Sequence, residues 1–83
     1  MIKEQLYNTI KTWYLLNNVN EEYNLLKNNG IKLLATTTSK RSAIIKLNNV
    51  KYNINIDLYK YKDNKLIKLN DIKISMEVIK WYN

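Results

Sequence analysis

Apolar and polar residues alternate without a break from Val50 to Leu58. Val50, Tyr52, Ile54, Ile56 and Leu58 fall on one parity and Lys51, Asn53, Asn55 and Asp57 on the other. A period of two over nine residues is the pattern of a strand with one face buried and one wet. The β-branched and aromatic residues within it suit a pleated surface. The run continues as far as Tyr61, and the rest of the chain can be read outward from it.

Upstream the period is different. Ile2, Leu6, Ile10, Trp13 and Leu16 recur at steps of three and four, one face of a helix, with Glu4 where the helix dipole favours an anion. Asn17 and Asn18 break the stripe. Asn20 followed by Glu21 and Glu22 reads as the N-cap of a second helix that runs to about Asn28, with Tyr23, Leu26 and Val19 inward. The rival reading is one bent helix over 3–28. Gly30, the one glycine of the chain, stands where a left-handed residue closes a helix.

From Ile31 the period is two again. Ile31–Thr37 reads as a first strand with weak alternation, and Ser42–Leu47 as a second. Asn48-Asn49 can form a two-residue hairpin turn, because asparagine tolerates positive φ. That turn sets Leu47 opposite Val50, Ile45 opposite Tyr52 and Ala43 opposite Ile54. A turn at Asp63-Asn64 sets Leu69 opposite Leu58 and Ile67 opposite Lys60, and a turn at Asn70-Asp71 sets Leu69 opposite Ile72 and Ile67 opposite Ile74. All three registers place the apolar residues on one common face. The expected fold is therefore α+β, a single domain over 1–83. Helices in 1–30 form one layer on a four- to five-stranded antiparallel meander in 31–83. The long strand leaves open a sheet curled toward a small barrel.

Composition narrows the chemistry. The chain of 83 residues has neither cysteine nor histidine, which removes thiolate ligands, disulfides and the commonest general base. One glycine leaves no phosphate-cradling loop of the GxGxxG or Walker kind. The carboxylates fall at helix starts, in turns and on outward strand positions, Asp57 being placed beside Lys40 or Arg41. No enzyme, cofactor or metal is expected. The start, MIKEQLYN, lacks the apolar core of a signal peptide, and no run is long and apolar enough to span a membrane. The expected location is the cytoplasm, the host's if the protein is viral.

Asn, Lys, Ile and Tyr fill 45 of the 83 positions, as in an AT-rich genome, so part of the net charge of +7 follows from codon usage. Its placement does not. Residues 1–30 balance to zero, with Lys3, Lys11 and Lys27 against three glutamates, and the whole +7 lies in residues 31–83.

The outward sheet face gathers that charge. The expected registers put Lys46 beside Lys51, Lys68 beside Lys73, Tyr59 beside Lys68 and Tyr61 beside Leu66, with Asn53 between and Lys40 and Arg41 at one edge. Cations interleaved with aromatics and amides suit nucleic acid, held mainly through its phosphates because arginine is nearly absent. The hydroxyl-rich loop TTTSKRS, 36–42, is a smaller candidate for a phosphate. An ordinary solvated surface accounts for the same residues in a lysine-rich chain.

A competing expectation comes from Ile44, Leu66, Ile79 and Trp81, apolar residues on the outward face. Strand 72–82 also outruns its neighbour 65–69. These would serve a protein partner or a homodimer, as in a viral or mobile-element accessory protein that docks on a host complex.

Overall fold

In the computed structural model, which describes residues 2–59 and 66–82, two helices lie on a four-stranded antiparallel sheet. The helices are α1, Lys3–Leu15, and α2, Val19–Asn28; the strands are β1, Ile31–Thr36, β2, Ser42–Leu47, β3, Val50–Leu58, and β4, Ile72–Trp81. The strand order β1-β2-β3-β4 is a simple meander, and the sheet stays open instead of closing into a barrel.

The helical stripe packs as its spacing demands: Leu6, Ile10 and Trp13 are buried. Helix α1 ends at Leu15, where Leu16 turns extended and its N–H bonds back to the carbonyls of Thr12 and Trp13. The chain breaks between helices, and the cap of α2 is Asn18, not Asn20. Asn18 is the extended residue, and its Oδ1 accepts from the Glu21 N–H at 3.0 Å. Gly30 has φ of +71°, the left-handed turn that leads into β1. Of the three α2 residues expected inward, Leu26 is buried, but Val19 and Tyr23 are 79% and 62% exposed.

The β2–β3 hairpin has the expected register, Leu47↔Val50, Ile45↔Tyr52 and Ala43↔Ile54, with Asn48 at φ of 55° in the turn. Ile45, Ile54, Ile56 and Ile72 are essentially enclosed, in one core with Trp13 and Ile10, and Tyr52 packs against it.

The β4 side departs from expectation. There is no strand at 65–69 among the described residues: 66–68 are irregular and Leu69–Asp71 is a single 3-10 turn. Asp71 closes that turn locally, its N–H donating to Lys68 O and its Oδ2 accepting from the Lys68 N–H, both at 2.9 Å. Strand β4 therefore pairs with β3 itself, Leu58↔Ile72, Ile56↔Ile74, Ile54↔Met76 and Tyr52↔Val78. This replaces the expected pairs of Ile67 and Leu69, and it yields one long ladder of apolar pairs in place of two short ones. It also supplies the partner that 79–82 lacked. The expected turn at Asp63-Asn64, the Lys60 pair and Tyr61 lie outside the described residues.

One irregularity matters for the surface. Lys51 pairs with Lys80 but Tyr52 pairs with Val78, so Ile79 is an extra residue, a bulge. Beyond it the parity of β4 is reversed. Trp81, expected outward, stands opposite Val50 on the helix-side face, and Lys80 and Tyr82 turn outward.

Candidate nucleic-acid interface

The three registers together assemble a feature that no single hairpin contains. Lys32 pairs with Lys46, Lys46 with Lys51, and Lys51 with Lys80. Four lysines, one from every strand, thus occupy a single row across the outward face. Neighbouring strands lie about 5 Å apart, so the row is about 15 Å long. Among the described residues none of the four meets a carboxylate within ion-pairing distance. Like charges directly opposite one another destabilise a sheet, so this row costs stability unless an anion lies on it.

Tyr82 sits over the row. Its N–H donates to Asn49 O at 2.7 Å, which anchors it beside the Asn48-Asn49 turn. The Lys46 and Lys80 Nζ atoms lie 4.5 and 4.8 Å from its ring centroid, so the ring's negative face partly offsets two of the four charges. Lys46 and Lys51 are half-buried, while Lys32 and Lys80 at the two ends are exposed.

The rest of the face is less basic. The next row is Ala35, Ile44, Asn53 and Glu77, and beyond it come Ser42, Asn55 and Ser75. At the far end Asp57 stands opposite Lys73, and among the described residues it forms no ion pair with Lys40 or Arg41. The cationic surface is therefore one line near the hairpin turn.

The expected site residues divide accordingly. Lys46 and Lys51 are in the row, and Asn53 borders it. Lys73 faces Asp57. Lys68 and Tyr59 are both exposed, but Lys68 lies in no strand and is not paired with Lys73: its N–H is held by Asp71, and the Tyr59 N–H donates to Asp71 O at 2.8 Å. Arg41 is exposed at the end of β2, where its carbonyl accepts from the Ile56 N–H.

Lys40 belongs to the opposite face. Its Nζ donates to Leu16 O at 2.7 Å and Trp13 O at 3.1 Å, pairs with Glu22 Oε1 at 2.7 Å, and lies 5.2 Å from the Trp13 ring centroid. It caps α1 and ties down α2. The hydroxyls of Thr36, Thr37 and Ser39 in its loop are also engaged internally, Thr36 Oγ1 donating to Thr37 O and Thr37 Oγ1 lying 3.3 Å from Ser39 Oγ and taking the Ser42 N–H.

The apolar residues expected to form one patch are dispersed. Ile44 lies between Ala35 and Asn53, Leu66 is 84% exposed in the irregular stretch, Ile79 is the bulge, and Trp81 faces the helix side at 69% exposure.

Lys32, Lys80 and Tyr82 were absent from the expected site. The parity of β1 carries Lys32 in its pattern, Ile31 inward and Lys32 outward, once Gly30 fixes where the strand begins. Lys80 and Tyr82 carry no such signal, because unbroken alternation assigns both to the inner face.

No family model, curated protein or solved structure matches the chain.

Proposed function

We propose that this protein is a small, non-enzymatic binding protein that holds nucleic acid along the lysine row, mainly through its phosphates. The observation that carries the reading is the line of four lysines, one per strand, with no carboxylate partner among the described residues. A row about 15 Å long suits a polymer with regularly spaced negative charges, since an isolated phosphate would meet only one or two of the four. The chain laid along it crosses the strands from β1 to β4. Lysines act as point charges without the planar fork that reads guanine, so binding is insensitive to sequence. Asn53, in the next row of the sheet, adds hydrogen bonds to sugar or base edges.

The test is a fluorescence anisotropy titration with a labelled, mixed-sequence single-stranded oligonucleotide over a range of salt. Four phosphate contacts predict a log–log slope of affinity against salt of about −2.8 for a single strand and about −3.6 for a duplex. Absence of binding at low salt would overturn the reading.

A further inference from the structure

The groove between α2 and β1 is a second surface, separate from the lysine row. Its floor is Trp13, Leu26 and Ile31, all buried, and its walls are Val19, Tyr23 and Leu33. Its volume is about 600 Å³, the size of a binding cleft. The helical stripe of α2 directs Val19 and Tyr23 inward with Leu26, yet both remain uncovered, so the apolar stripe extends past the edge of the sheet that should bury it.

That edge is β1, the outermost strand. Among the described residues no strand pairs along its outer side, so backbone donors and acceptors border the groove. The net charge around the groove is positive. Glu22 is neutralised by Lys40 at 2.7 Å, whereas Lys27 and Lys32 meet no carboxylate among the described residues. Lys27 Nζ leans over the Tyr23 ring, 5.7 Å from its centroid.

We propose that β1 and this groove together take an extended segment of a partner protein by strand addition, and that the segment alternates apolar with acidic residues. A strand paired to β1 sends its side chains alternately to the two faces of the sheet. Those on the helix side enter the groove and cover Tyr23, Val19 and Leu33. Those on the other side come beside Lys32, the exposed end of the lysine row. Apolar side chains therefore suit one parity and carboxylates the other. A small apolar molecule would fill the groove but leave the strand edge and Lys32 unused. A second copy of this chain would bring another charge of +7 and a second Lys32 against the first.

The experiment titrates the protein with an end-blocked peptide of alternating valine and glutamate, and follows amide exchange of β1 by NMR. Saturable binding below about 1 mM is expected, with slowed exchange along β1. A peptide of the same composition with its order scrambled binds at least about tenfold more weakly. Tyr23→Asp, at an exposed position that leaves the fold intact, also weakens binding at least about tenfold. Lys32→Glu reverses the preference toward a valine–lysine peptide. Glutamine at Lys51 and Lys80, two and three strands away from Lys32, leaves peptide affinity within about twofold, which separates this site from the nucleic-acid reading. The proposal is overturned if there is no saturable binding by a folded protein, if the scrambled peptide binds equally, or if Tyr23→Asp has no effect. It is also overturned if β1 becomes protected with rising protein concentration and no peptide, which would make the occupant a second copy.

Discussion

Lys40 shows how much one side chain can organise in a chain without cysteine or proline. Its backbone is in the left-handed region, φ 63°, and that turn swings the side chain out of the loop toward the helices. There its ammonium meets two carbonyls at the end of α1 and the Glu22 carboxylate in the first turn of α2. Three donors meet three acceptors at a site where both charged side chains are less than one-fifth exposed. Lys40→Ala leaves those carbonyls and Glu22 without their partner and should lower stability by about 1–3 kcal/mol in urea unfolding. Substitution of exposed Lys3 should have little effect. An unchanged midpoint for Lys40→Ala would mean that water replaces the ammonium without loss. This role was not legible in the sequence. Within the loop Lys40 reads as one more surface cation, and its carbonyl partners lie 24 and 27 residues away.

Among the elements, what could be read depended on how locally a register is determined. The β2–β3 hairpin was legible because two asparagines join its strands and a one-residue slip would invert an entire face. The β3–β4 pairing was not. The competing arrangement, with a strand at 65–69, also turns Ile72, Ile74 and Met76 inward, so alternation could not choose between the two. The choice came from the local closure of Lys68–Asp71 and from the length of the β3–β4 ladder. The bulge at Ile79 was hidden for a related reason. The stretch Val78–Trp81 has apolar residues on both parities, Val78 on one and Ile79 and Trp81 on the other, so alternation does not mark where the face reverses.

That bulge completes the lysine row and so links element geometry to energetics. The row should cost stability when no anion is bound. Lys51→Gln, which removes a charge flanked on both sides, should raise stability at low salt by a few tenths to about 1 kcal/mol. The gain should fade as salt screens the row. A destabilised Lys51→Gln protein at low salt would mean that the lysines do not repel one another as their register implies.

For the whole molecule, the sequence separates a neutral helical part from a basic sheet part, and the structure puts the two on opposite sides. The helix layer covers one face of the sheet, and the lysine row lies on the other. This asymmetry was visible in the distribution of charge along the chain. Its concentration into one line was not, since the line needs three registers at once and a bulge in the last. The central claim is that this line, and not the overall charge of +7, binds nucleic acid. The most direct test removes the same amount of charge from two places. One variant carries glutamine at Lys46, Lys51 and Lys80 in the row, and the other at Lys3, Lys11 and Lys27 on the helices, and both are titrated with a single-stranded oligonucleotide across a range of salt. The row variant should lose about 2 units of the log–log salt slope, while the helix variant keeps nearly all of it. Equal losses in the two variants would contradict the claim, because binding would then follow net charge and not the row.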